Sequence, residues 1–168
     1  SIKVCNIMSL SLDFEECDFE MLSLYGRWAN ERTYERYSLH HGKSVISSKR
    51  GSIGHQTCPF AALVRNNTDE SFGEAYGVTL IYSGNFEIGA EVGQFDNIRL
   101  FAGINREDFS WELEKGECFV SPQALLTYSH EGLGKMSQNF HNICRKHLGA
   151  CAAPKKHPIV LNLWEAFY

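Results

Sequence analysis

The sequence predicts a mostly β fold, an antiparallel β-sandwich followed by one helix near its C-terminal end. Three observations carry this expectation. Short stretches of alternating apolar and polar residues recur through residues 1–130 at spacings of about 8–12 residues. Clusters of Gly, Asn, Asp, Ser and Thr separate them. A helical apolar period of about 3.6 residues stands out once, near residues 135–148.

In order along the chain, Cys5 to Phe14 alternates, with Ile7, Leu10, Leu12 and Phe14 as its apolar positions. Met21 to Tyr25 is a second strand, punctuated by Gly26, and Lys43 to Ser48 a third, β-branched at Val45 and Ile46. Proline opens the apolar run Pro59 to Val64, and the turn Arg65 to Glu70 follows. Ala75 to Tyr82 is the strongest strand signal, and Ser83-Gly84-Asn85 turns it back into Phe86 to Val92. Ile98 to Ala102 and Phe109 to Leu113 continue the pattern. Met136, Phe140, Ile143, Cys144 and His147 then share one helical face. Arg145, Lys146 and His147 suit the negative end of its dipole, and Gly149 fits a C-cap. Residues 150–157 read as a polar linker. Pro158 to Trp164 is a continuous apolar run, the signature of a strand buried on both faces of a parallel sheet. The shift predicts a sandwich over 1–149, a linker over 150–157 and the start of a second unit over 158–168.

The 168 residues suffice for one domain with a real core, and 43% apolar and 12% aromatic content predicts a packed one. A net charge of −4 argues against a nucleic-acid partner. No apolar run reaches the roughly 20 residues of a membrane span, so no membrane partner is expected. Cys5, Cys17, Cys58, Cys118, Cys144 and Cys151 are irregularly spaced, without a C-x-x-C pair. With no signal-peptide pattern at Ser1–Cys5, this predicts free thiols and a cytoplasmic location. Asn66-Asn67-Thr68 fits a glycosylation acceptor but reads as a surface turn.

The residue patterns that carry chemistry are weak. The acidic neighbours Glu15-Glu16 and Glu107-Asp108 read as solvated turn charges, because neighbours on a strand point to opposite faces and cannot flank one bond. His40-His41 lacks further ligands at metal spacing. Gly51-Ser52-Ile53-Gly54-His55 lacks the lysine and helix of a phosphate loop and reads as a β-turn. Ser129-His130-Glu131 has the residue types of a triad, but three consecutive residues cannot converge as one. Tyr25, Trp28, Tyr34, Tyr37, Tyr76, Tyr82 and Trp111 suit either a sugar-stacking platform or, the favoured reading, core and interface packing. No cofactor motif is present and none is expected.

Several segments in order resemble glycoside hydrolase family thirty-six, the α-galactosidases or melibiases. They are Leu24 to Arg32; Ser48-Lys49-Arg50-Gly51-Ser52 with Cys58-Pro59-Phe60; and Gly73-Glu74-Ala75-Tyr76-Gly77 with Tyr82-Ser83-Gly84-Asn85-Phe86. Gly103-Ile104-Asn105, Phe109 to Leu113, Gly116 to Phe119, Ser121-Pro122-Gln123 and Tyr128 to Leu133 follow. Pro158 to Ala166 resembles the family's entry into its catalytic barrel. Cys58, where the family commonly has asparagine, and Leu163 before Trp164 depart from the pattern.

The resemblance implies that the sandwich is part of an N-terminal supersandwich and that 158–168 begins a (β/α)8 barrel. A barrel takes about 250 residues, so the family's two catalytic aspartates are not expected here, and no residue of this chain is expected to be catalytic. It also implies a parent enzyme that hydrolyses terminal α-D-galactosyl residues of melibiose- or raffinose-type sugars with retention. In that parent the sandwich supports the barrel, the pocket rim and a homo-oligomer. Trp164 matches a tryptophan that lines the galactose pocket, with Asn162 and Glu165 beside it. The alternatives are a stand-alone carbohydrate-binding sandwich and a domain of an α-N-acetylgalactosaminidase.

Overall fold

The computed structural model describes residues 1–148 and 158–163. Along the chain run β1 (Ile2–Val4), β2 (Met8–Phe14), β3 (Glu20–Arg27), β4 (Asn30–Ser38), β5 (Gly42–Ser48) and β6 (Thr57–Val64). They are followed by β7 (Ala75–Ile81), β8 (Phe86–Val92), β9 (Ile98–Ile104), β10 (Trp111–Leu113), β11 (Gln123–Ser129) and helix α1 (Gly132–Ile143). Two antiparallel sheets form the sandwich, in the orders β11-β7-β6-β3-β4 and β2-β9-β8-β5. A small ribbon pairs β1 with β10.

Strand alternation builds the core between the sheets. Phe86, Ile88, Ala90 and Val92 of β8 and Ile98, Leu100 and Ala102 of β9 face Met21, Ala61, Leu63, Val78 and Leu80 of the larger sheet. The alternate residues of the larger sheet, Leu22, Ala62, Val64 and Ala75, face the other way and pack under α1 through Leu133 and Met136. The molecule is therefore layered as sheet, sheet, helix. Gly77 makes the last contact possible: a Cβ there would stand 2.7 Å from the Met136 sulfur and 2.8 Å from the Phe140 ring.

The antiparallel sandwich over the first 130 residues and, among the described residues, the helix after it are as expected. Their bounds differ in ways that have physical causes. The helix begins at Gly132 rather than near 135, and Cys144–Leu148 is a π-helical turn. Its first N–H groups are not met by a side-chain cap. Gly132, Leu133 and Gly134 donate instead to the carbonyls of Gly73, Asp69 and Glu70 in the β6–β7 loop. Of the predicted face, Met136 is buried and Phe140 and Ile143 are half-buried, whereas Cys144 and His147 are exposed. Cys5–Phe14 divides into a loop and β2, with a bulge between Met8 and Leu10. Strand β4 carried no apolar alternation because it is an edge strand whose side chains are mostly exposed, and only Tyr37 reaches the core. Residues 158–163, expected as a buried strand, have no regular structure, and Ile159, Val160 and Leu161 are exposed. Such a run is stable as a strand only when neighbours pair both its edges and cover both its faces.

Candidate functional site

Three surfaces of the sandwich combine side chains in ways that can bind something. The first is an apolar groove where α1 leaves part of the larger sheet uncovered. Leu24, Phe60, Ile81 and Leu125 form its floor, Phe140 and Cys144 its wall, and its volume is about 380 Å³. Cys58 also lines it, and burial pushes that thiol up from its ordinary range, so it stays protonated and unreactive.

The second surface lies at one end of the sandwich. Asn85 Oδ1 accepts from the Gly51 N–H at 2.7 Å, and Asn105 Oδ1 accepts from the Glu107 N–H at 2.9 Å. The ammonium of Lys49 sits between Glu107 and Asp108, at 3.0 and 2.6 Å. Beside this loop, Phe109, Trp111 and Phe119 pack edge to face. The acidic neighbours are thus turn residues, as expected, but both reach one cation. The hydrogen bond from Lys49 lowers the Asp108 carboxyl from its ordinary range. A glycosidic general acid needs the opposite shift.

The third surface is the outer face of the smaller sheet. The cross-strand register aligns Asp13, Arg99, Glu91 and Lys43 into a row of alternating charge across all four strands. Arg99 grips Asp13 with two hydrogen bonds, of 2.7 and 2.9 Å, and the Asp13 carboxyl is lowered by that bond. Glu87 stands further along the same face. Burial raises its carboxyl above the ordinary range, the direction a general acid requires. Glu91, the nearest carboxylate on its strand, is four residues away, about 13 Å, beyond the roughly 9.5 Å that separates the widest glycosidic pairs.

The residues singled out in the sequence are distributed as follows. Asn162 is exposed in the irregular segment, whereas Trp164 and Glu165, with Gly149 and Cys151, lie outside the described residues. His41 pairs with Asp96 at 3.1 Å. Ser129 Oγ donates to the Gly132 carbonyl and accepts from the Glu131 N–H, so it shapes the entry to α1 and is not part of a triad. The aromatic residues do not form one platform. Tyr37, Tyr76 and Tyr82 pack on the core, while Tyr25, Trp28, Tyr34 and Trp111 are exposed. Asn66 donates to Asp18 at 2.7 Å and the Thr68 hydroxyl is buried against the Glu74 carbonyl, consistent with a structural turn. The five described cysteines are free thiols. Among the described residues no three His, Cys, Asp or Glu side chains group as metal ligands, and no helix is long and apolar enough to cross a membrane. Sequence reasoning missed Glu87, because a glutamate on the polar face of an alternating strand gives no sign of being buried.

Comparison with known proteins places this architecture. Residues 1–114 match the glycosyl hydrolase family 36 N-terminal domain. The chain belongs to glycosyl hydrolase family 36. Residues 118–168 match melibiase. The chain is 42% identical over 168 residues to alpha-galactosidase AgaA of Geobacillus stearothermophilus, covering 99% of this chain and 23% of that protein. It is 41% identical over 163 residues to alpha-galactosidase Mel36A of Lactobacillus acidophilus, covering 96% of this chain and 22% of that protein. The crystal structure of alpha-galactosidase AgaB from Geobacillus stearothermophilus superposes with a TM-score of 0.91 at 41% identity, over 98% of this chain and 23% of that one. An AgaA variant crystallised with stachyose gives 0.84 at 43% identity, over 86% of this chain and 20% of the other. This family 36 chain thus spans less than a quarter of the length of these relatives, and its mostly antiparallel sandwich with one C-terminal helix is their fold over that span.

Proposed function

We propose that this chain is the non-catalytic part of an α-galactosidase, the parent enzyme releasing terminal α-D-galactosyl groups from raffinose-type sugars with retention. The reading rests above all on the match to α-galactosidases across 99% of this chain but 23% of the relative. Catalysis then belongs to the part of the enzyme that follows α1. The apolar groove beside the C-terminal end of that helix is where the following barrel packs. Residues 158–163 become the first barrel strand once their neighbours are present. Trp164, with Asn162 and Glu165 beside it, would then stand at the C-terminal end of that strand, where barrel enzymes place their sites. An indole there closes over one face of galactose. The sandwich also contributes to the pocket rim and to a homo-oligomer of the parent.

Two measurements test this. The 168-residue chain should turn over an aryl α-galactoside at background rate; turnover that co-purifies with the chain refutes the non-catalytic assignment. In the full-length enzyme, Trp164→Ala should raise KM for the galactoside about tenfold or more, a loss of stacking of about 1–3 kcal/mol. An unchanged KM would remove Trp164 from the pocket.

A further inference from the structure

Glu87 is the second residue of β8, and alternation points its side chain away from the core that holds Phe86 and Ile88. It is nevertheless only 6% exposed. Its cross-strand neighbours are Ser47 on β5 and Gly103 on β9, and Gly103 places no side chain beside it. The Ile7 carbonyl and Met8 Cα lie so close over Gly103 that a Cβ would meet them at 2.4 and 2.8 Å. The bulge at the start of β2 brings them there. One Glu87 oxygen, Oε1, is buried without a hydrogen-bond partner. The other, Oε2, faces Arg106 Nε at 3.9 Å, beyond hydrogen-bond length. Unpartnered buried polar atoms are uncommon, and each calls for an explanation.

The carboxylate lines a cavity of about 260 Å³ with Asn6, Ser11, Lys43, Phe101 and Arg106. This is slightly below the roughly 300–1,000 Å³ of drug-sized sites and suits a single sugar ring. Two further lining charges are engaged elsewhere: Arg99 holds Asp13, and Glu91 faces Lys43 at 3.5 Å. What remains is an acceptor, Glu87, adjacent to a donor, Arg106. An anion would meet Glu87 and Glu91, and a cation would meet Arg99 and Arg106. A neutral ligand with a donor and an acceptor on adjacent atoms meets neither penalty, and vicinal hydroxyls supply that pair. Phe101, seated across Gly89, also lines the cavity, with the Lys43 ammonium 5.8 Å from its ring centroid.

We propose that this cavity binds a neutral polyhydroxylated ligand, a single sugar ring, through vicinal hydroxyls held between Glu87 and Arg106. One hydroxyl donates to Glu87 Oε2, the oxygen that faces Arg106, and its neighbour accepts from the Arg106 guanidinium. Burial makes the Glu87 carboxyl hold a proton more tightly than usual, and a hydroxyl donor relieves the same desolvation. The site is independent of the galactosidase reading, since it uses only residues of the sandwich.

The test is titration of the ¹⁵N-labelled 168-residue chain with D-galactose, followed through its amide resonances. Saturable shifts are expected around residues 43, 87, 101 and 106, with a Kd on the order of millimolar. Glu87→Gln and Arg106→Met should each weaken binding about tenfold or more, since each removes a charge-assisted hydrogen bond. Trp111→Ala should leave it unchanged. Arg106 is 46% exposed, so its replacement leaves the fold intact. The proposal is overturned if the folded chain shows no saturable shift. It is equally overturned if the shifts centre on Trp111, or if both Glu87→Gln and Arg106→Met retain the wild-type Kd.

Discussion

Burial, with a smaller contribution from the Glu107 charge, raises the proton affinity of the Glu87 carboxyl, against partial opposition from the Arg106 and Lys43 charges. The consequence is a stability that depends on pH in an unusual direction. Above the ordinary value of 4.5 and up to its raised folded value, Glu87 binds a proton more strongly in the native state than in the unfolded chain. Its contribution is therefore fully present below that ordinary value and is lost as pH rises through the folded value. Asp13, Asp69, Glu74 and Asp108 have lowered carboxyls and act oppositely, losing their contribution as pH falls. Comparing Glu87→Gln with the wild type isolates one group, because glutamine mimics the protonated form at every pH. The two proteins should have similar urea midpoints near about pH 4, and Glu87→Gln should be the more stable near about pH 7. Equal midpoints at both would mean that Arg106 already neutralises the carboxylate.

At the scale of elements, α1 is held by the face its sequence period announces, but unevenly. Met136 is buried over Gly77, whereas Phe140 is half-buried beside Phe60, with ring centroids 6.0 Å apart. Met136→Ala should cost about 2–5 kcal/mol. Phe140→Ala should fall below the about 3–5 kcal/mol of a fully buried phenylalanine, and Ile143→Ala should cost least. Denaturant melts check the order; a Phe140→Ala loss larger than that of Met136→Ala would mean that the helix sits further over the groove. The same helix shows where sequence reading ends. The period of Met136 and Phe140 was legible because it reflects a local geometry. The start at Gly132 was not, because its N–H groups are met by residues 69–73, far away along the chain. Strand β4 was hidden for a related reason: at an edge and exposed, it is defined by its pairing with β3 through the hairpin at Ala29 and not by apolar pattern. Two arginines complete the link between elements. Arg36 on β4 bonds Glu20 and the carbonyls of Arg65, Asn66 and Thr68, and Arg65 stacks on Phe19 while pairing with Glu16 and Glu74. Together they fix the β6–β7 loop that receives the first turn of α1, an arrangement no local motif encodes.

Among the described residues, the groove beside α1 and residues 158–163 both leave apolar side chains uncovered. Both sheets share one core, and the helix covers part of the outer face of the larger sheet. Ile159, Val160 and Leu161 take no part in either core: their relative exposures are 103%, 80% and 78%. An exposed apolar run is a template for strands of other chains. Its attraction to a second copy rises with concentration, while Ile159, Val160 and Leu161 bury little against the sandwich. Ending the chain at Lys156 should therefore abolish concentration-dependent association in sedimentation velocity and leave the melting temperature of the sandwich unchanged, within the roughly 0.5 kcal/mol expected of surface changes. A melting temperature that falls with the deletion would mean that 158–168 belongs to the sandwich core and that the boundary drawn at 150–157 is wrong. Association that persists would instead place the sticky surface at the groove of Leu24, Phe60, Ile81 and Leu125, and Leu125→Glu in the shortened chain should then remove it.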